Sequence, residues 1–256
     1  MLAAVRALVR PRRQIALVSR LERAPPQSSR WLTKSAAEDS QAPKLKYPDP
    51  PTTNHSDLGT FRAYARRTGL DEKSTVYVGT HYEYKVSGAL SRYGFFLKRI
   101  GGSSDHGTDL VGTWTLPSSS SSSSRTAPFK VLVQCKAGTQ RVGPQHIREL
   151  EGAFVGAPVG WRGTGVLGLL ACERAATRGV RDSLGRSKWP MVYICCSKEG
   201  VVSQMIWNQC VEELGLDGYG VSVRRGDDRD ELVMMHNGAV VPFFVRGQVN
   251  MAGVEM

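Results

Sequence analysis

The five cysteines, Cys135, Cys172, Cys195, Cys196 and Cys210, include no CxxC pair. Their odd number and the apolar runs around Cys135 and Cys195 argue against a disulfide framework or a zinc site, and for buried, reduced thiols. The five histidines, at 55, 81, 106, 146 and 236, have no metal-ligand spacing. No run of about 18 apolar residues occurs, which removes a membrane-spanning helix. Acid is nearly missing from the first 34 residues, where Glu22 stands alone against eight Lys or Arg.

That asymmetry governs the charge. The chain of 256 residues carries a formal +11, of which residues 1–34 hold +7. The rest has 26 basic and 22 acidic side chains, so the body is only mildly basic. Such a body permits a phosphate-bearing partner without demanding one. In the tail, Arg6, Arg10, Arg12, Arg13, Arg20, Arg23 and Arg30 alternate with apolar residues at near-helical spacing. One face is cationic and the other apolar, as in a mitochondrial presequence. A secretory signal would need an unbroken apolar core, and Arg interrupts every candidate. A basic arm that touches nucleic acid directly is the alternative.

Hydrophobic content of 41% and charged content of 22% fit a globular domain after the tail. Residues 35–56 are rich in Pro and Ser and predict a disordered linker. Asp57 caps a short helical pattern through Phe61, Tyr64, Ala65 and Leu70. Thr75-Val76-Tyr77-Val78 reads as a short extended lead-in. A helix capped by Thr80 then runs to about Arg92, with Glu83 at the third position of a capping box. Strands are predicted at 95–100, 108–114, 129–136, 166–171 and 191–196, with helices from Pro144 and over 173–184. A serine-rich loop, 117–128, interrupts the hairpin between the second and third strands. A helix from Met205 to Leu214 and a hairpin turning at Asn237-Gly238 complete a C-terminal extension, 205–256, packed on the same domain. The order α-β-β-β-α-β-α-β predicts an α/β domain over 57–204 with a mixed sheet flanked by helices.

Polar groups in the wrong places for a core mark the candidate site. Gln134 and Lys136 end the most apolar strand and, two residues apart, share a face, while Cys135 points to the core. Asp109 opens the neighbouring strand, so a hairpin can bring Asp109, Gln134 and Lys136 together. Glu83 on the preceding helix is the fourth member. Each alone has a plainer reading: a cap for Glu83, an Asx turn for Asp105, a strand-end ammonium for Lys136.

In order and spacing, these pieces resemble the Mrr-like branch of the PD-(D/E)XK nuclease superfamily. The resemblance covers about residues 75–200. It runs through Tyr82-Glu83, Tyr93-Gly94-Phe95, the segment Gly101 to Leu110 containing Asp105-His106-Gly107-Thr108-Asp109, Val133-Gln134-Cys135-Lys136 as a Gln-x-Lys motif, and Arg148 to Ala153. The whole chain is also similar to the fungal mitochondrial proteins called "required for respiratory growth". Gln134 departs from the more usual acidic residue, and the serine run lengthens the hairpin.

The resemblance implies a restriction-endonuclease-like fold and Mg²⁺-dependent hydrolysis of nucleic-acid phosphodiesters, DNA favoured over RNA, in the mitochondrial matrix. Asp109, Gln134, Lys136 and Glu83 would be the catalytic set. Metal ligands would be Glu83, Asp109, Gln134 and the backbone carbonyl of Cys135. The rival expectation is a catalytically inactive nuclease-fold protein that binds nucleic acid in mitochondrial gene expression. The oligomeric state is open.

Overall fold

The computed structural model describes residues 45–102, 107–116, 127–138, 141–226 and 230–244. The presequence, Asp105, His106 and the serine run lie outside them.

Six strands form one sheet in sequential order: β1 (Phe95–Arg99), β2 (Leu110–Trp114), β3 (Phe129–Lys136), β4 (Val166–Cys172), β5 (Met191–Cys196) and β6 (Val202–Trp207). The β1–β2, β2–β3 and β5–β6 pairs are antiparallel, and β3–β4 and β4–β5 are parallel. The domain is therefore α/β with a mixed sheet flanked by helices. Every residue of β4 and β5 is buried, as expected of central parallel strands covered on both faces.

The strand alternation sorts the core into two layers. Val131, Val133, Leu167, Leu169 and Ile194 pack with Tyr82, Val86 and Leu90 of helix α2 (Thr75–Leu90). Leu132, Leu170 and Tyr193 pack with Ile147, Leu150 and Phe154 of α3 (Pro144–Gly156) and with Val180 and Leu184 of α4 (Arg178–Arg186). Gly112 lets the sheet close. A Cβ there would overlap the Phe96 carbonyl oxygen and lie 2.9 Å from the Leu97 Cα.

Several expectations need correction. α2 begins at Thr75, not after Thr80, because the Ser74 hydroxyl accepts the Tyr77 N–H at 3.2 Å and caps it there. The run Thr75-Val76-Tyr77-Val78, rich in strand-favouring residues, thus forms the first turn of the helix, and Glu83 sits in mid-helix rather than in a capping box. α4 starts five residues later than expected. Residues 173–177 are tied down elsewhere: the Glu173 carboxylate accepts the Gly138 N–H at 2.6 Å, and the Gln204 side chain accepts the Ala176 N–H at 2.8 Å.

Met205 to Trp207 belong to β6 instead of a helix. Only a short α5 (Gln209–Val211) and a π-turn (Glu212–Leu216) follow. Pairing of Ile206 with Tyr193 and of Met205 with Ile194 overrides the helical pattern.

The Pro-rich stretch from Leu45 to Ser56, expected to be disordered, is ordered against the domain. The Tyr47 ring lies 4.9 Å from Trp161 and 5.9 Å from Phe96, and His55 Nδ1 is 2.8 Å from the Tyr84 hydroxyl. Two aromatic anchors thus hold a segment whose prolines rule out regular structure. α1 (Leu58–Thr68) follows, capped by Asp57 as its sequence predicts.

Three further strands, β7 (Tyr219–Arg224), β8 (Glu231–His236) and β9 (Ala239–Val240), form a small antiparallel sheet. Asn237 (φ 50°) and Gly238 (φ 81°) make the β8–β9 turn. Leu232 and Met234 of β8 enter the α2-side core.

Candidate functional site

The β2–β3 ladder ends in a fork. The Asp109 N–H donates to the Val133 carbonyl at 2.9 Å. The next outward donor on β3, the Cys135 N–H, is taken by the Asp109 carboxylate at 2.6 Å rather than by a β2 carbonyl. A charged acceptor therefore sits where the strands part. Close behind it, the Ile100 and Gly101 N–H groups both donate to the Asp109 carbonyl, at 2.9 and 2.8 Å. A Cβ on Gly101 would lie 3.3 Å from Asp109 Oδ1, so the glycine lets the chain pass the carboxylate.

Gln134 lies on the α3 side of the sheet, 6% exposed, paired in register with Leu170. Among the described residues its side-chain oxygen is buried with no hydrogen-bond partner, as is the Thr108 hydroxyl. Its amide nitrogen would be 3.3 Å from a Cβ on Gly107, so the Gly107–Asp109 segment and the Gln134 side chain are close neighbours. An unpaired buried carbonyl costs about 1–3 kcal/mol, a cost that an ordered water, an ion or a ligand would remove.

Lys136 shares the Gln134 face, and its ammonium meets the Glu149 carboxylate of α3 at 3.0 Å. Glu149 was not picked out in the sequence. It sits 13 residues away on the next helix, and only the β3–α3 turn brings it near.

Glu83 approaches from the opposite, α2 side. It is 8% exposed and ion-paired with Arg99 of β1, which also donates to Thr80 Oγ1 at 3.4 Å. Arg99 is the residue sequence reasoning missed. It falls inside the predicted strand 95–100, and its burial against a helical carboxylate has no local signature.

The Cys135 thiol lies between the two halves. Burial pushes its pKa well up, and the negative charges of Asp109 and then Glu83 add to the shift. Cys172 is pushed up to about 12, chiefly by burial. All five cysteines are free, and these two thiols stay protonated at neutral pH. The structure therefore gathers Asp109, Gln134 and the Cys135 backbone, sets Lys136 on the same face against Glu149, and leaves Glu83 on the other side with Arg99.

Among the described residues no group of three His, Cys, Asp or Glu side chains could hold a metal ion. The donors present are hard oxygens: one carboxylate, one neutral amide and a backbone carbonyl. This set suits Mg²⁺, which takes one or two carboxylates and completes its shell with water and substrate phosphate. No helix among the described residues is long and apolar enough to cross a membrane.

The fold and this fork define an α/β protein with a carboxylate–amide cluster at the open end of a mixed sheet. The chain belongs to the family described as "Required for respiratory growth protein 7", which it matches over residues 74–223, from the α2 cap to β7. An uncharacterized mitochondrial protein of Schizosaccharomyces pombe is 31% identical over 160 residues, 61% of each chain. The mitochondrial "Required for respiratory growth protein 7" of Vanderwaltozyma polyspora is 35% identical over 119 residues, covering 32% of this chain and 48% of that one. Its Saccharomyces cerevisiae counterpart is 25% identical over 170 residues, covering 52% and 70%. The chain thus spans about half to two-thirds of the length of these relatives. No solved structure matches it.

Proposed function

We propose that this chain is a mitochondrial matrix protein supporting respiratory growth through a Mg²⁺-dependent, nuclease-type site that hydrolyses DNA phosphodiesters in mitochondrial genome maintenance. The relatives' names and the Arg-rich, acid-poor first 34 residues support the location. The restriction-endonuclease-like reading of the fold rests on the strand and helix order together with the Asp109 and Gln-x-Lys pieces. One observation carries the chemistry: the buried, unpartnered amide oxygen of Gln134 lies beside the strand fork that holds the Asp109 carboxylate.

Asp109, the Gln134 amide oxygen and the Cys135 carbonyl would hold the metal. Bound there, Mg²⁺ would lower the pKa of a water and offset charge gathering on phosphorus. Lys136, pre-positioned by Glu149, would supply a cation to the phosphate oxygens. Glu83 would join the ligands only by giving up Arg99, so its first role is to fix that arginine.

Gln134 in place of a carboxylate, and the engagement of Glu83 by Arg99, favour a second reading: a non-catalytic nucleic-acid-binding factor in mitochondrial gene expression. The purified chain, incubated with Mg²⁺ and either supercoiled DNA or a structured RNA, separates the two. Nicking of the DNA that stops with chelator supports the nuclease. Salt-sensitive, chelator-insensitive binding with both substrates left intact supports the binding factor.

A further inference from the structure

The small basic excess of the body is not spread evenly. Within residues 35–256, the stretch 136–190 holds nine basic and four acidic side chains, a net +5, and the remainder holds 17 and 18, a net −1. That stretch builds the α3–α4 layer, on the face of the sheet that Gln134 and Lys136 occupy. The first turns of α3 and α4 touch: a Cβ on Gly179 would lie 3.2 Å from Pro144 Cγ. Both turns stand at the end of the sheet where the fork opens. Arg141 precedes α3, Arg148 lies one turn into it, and Arg178 and Arg181 open α4. Arg174 comes two residues after Cys172, the register partner of Lys136. All five arginines are exposed.

We infer that this arginine face meets the phosphate backbone of a DNA duplex and holds it across the Asp109 fork. The inference rests on the nuclease-type reading for the choice of DNA and names the surface that presents it to that site. Guanidinium forks grip phosphate oxygens in pairs, so exposed arginines gathered beside a candidate phosphodiester site suit a polyanion.

The acids of this layer are engaged elsewhere. Glu149 meets Lys136 at 3.0 Å, Glu151 accepts the Ser187 hydroxyl at 2.6 Å, and Glu173 accepts the Gly138 N–H at 2.6 Å. Among the described residues Arg141, Arg148, Arg174 and Arg181 have no carboxylate partner, and Arg178 comes no closer than 3.9 Å to the exposed Asp182. A membrane surface does not suit this face. A helix lying on lipid inserts its apolar side, and here Val180 and Leu184 of α4 are buried in the core. The exposed large apolar residues of the layer, Val155, Val159 and Trp189, lie at its opposite end. An unpaired strand needs rings on which to stack its bases, and among the described residues no exposed Phe, Tyr or Trp stands at the fork end of this layer. A duplex asks only for cations set over its phosphates.

Arginine footprinting tests the surface without cleavage. The full chain is treated with phenylglyoxal in EDTA, alone, with a 20-base-pair DNA duplex, or with one strand of it unpaired. The modified arginines are then mapped by mass spectrometry. The duplex is expected to protect Arg141, Arg148, Arg174, Arg178 and Arg181 severalfold and to leave Arg66 and Arg67 of α1 reactive. The variant Arg174→Gln/Arg178→Gln/Arg181→Gln, at an unchanged melting temperature, is expected to bind the duplex about tenfold or more weakly and with a shallower salt dependence, as loss of three phosphate contacts implies. Arg66→Gln/Arg67→Gln/Lys73→Gln removes as much charge around α1 and should bind as wild type does. If the first variant melts early, the single variants Arg174→Gln and Arg181→Gln replace it. Protection confined to the first 34 residues, equal protection of α1, stronger protection by the unpaired strand, or affinity that falls equally in both variants or in neither would overturn the inference. Protection of this face in a chain that never nicks DNA would refute the nuclease reading alone, and nicking with this face unprotected would refute only the surface.

Discussion

The Asp109 carboxylate accepts the Cys135 N–H at 2.6 Å, so one side chain both ends the β2–β3 ladder and carries the candidate site's charge. Structure and chemistry at this position can be separated by isosteres. Asp109→Ala strands the Cys135 N–H and should lower unfolding free energy by about 1–3 kcal/mol. Asp109→Asn keeps an oxygen acceptor and should lose clearly less. Urea unfolding of the two variants checks this, and equal losses would mean the bond does not support the fork.

Arg99 and Glu83 form a nearly enclosed pair, with side chains 14% and 11% exposed. Removing one partner of such a pair leaves an uncompensated charge. Arg99→Ala is expected to destabilise by about 3–5 kcal/mol, and Arg99→Ala/Glu83→Gln to recover part of that loss. A double-mutant cycle by chemical denaturation reads the coupling. Additive losses would show that the pair is not held as described.

Gly112 faces the Phe96 carbonyl, where any Cβ collides with backbone. Gly112→Ala has no flexible neighbour to displace, so β1 must separate from β2. The expected result is a variant that fails to accumulate as folded protein, seen as lost amide dispersion in NMR or early cooperative unfolding. A variant as stable as wild type would contradict the strand pairing.

His55 ties the Pro-rich strap to Tyr84. Its ring is held below its ordinary pKa of 6.5, first by burial and then by the positive charge of Arg99. The folded state therefore prefers the neutral ring. The contribution is complete above pH 6.5 and is lost as pH falls from 6.5 through the lower folded value, because the unfolded chain binds the proton first. Melting temperature should fall more over that interval in wild type than in His55→Gln. His81 is shifted in the same direction, so the difference between the two proteins is the quantity to measure. Parallel curves would remove His55 from the account.

Where neighbouring residues decide structure, the sequence was readable. β3 has the predicted bounds because its apolar run is buried on both faces, and Asn237-Gly238 turns because both residues tolerate positive φ. The faces of Gln134, Cys135 and Lys136 followed from strand alternation alone. Distant partners defeated the rest. Thr75 to Val78 looked extended until the Ser74 cap fixed the first helical turn. Met205 and Ile206 read as helical until pairing with β5 claimed them. Arg99 and Glu149, 16 and 13 residues from Glu83 and Lys136, gave no sign of the ion pairs they make, because those depend on how α2 and α3 lie on the sheet. Tyr47 and His55 anchor a segment whose composition alone suggests disorder.

The rate of supercoiled DNA nicking as a function of Mg²⁺, measured for wild type and Asp109→Asn at matched stability, tests the central claim most directly. A saturable Mg²⁺ dependence in wild type, with a loss of about a hundredfold or more in the variant, is the predicted result. Equal rates for the two proteins, or a rate unchanged by chelator, would contradict it.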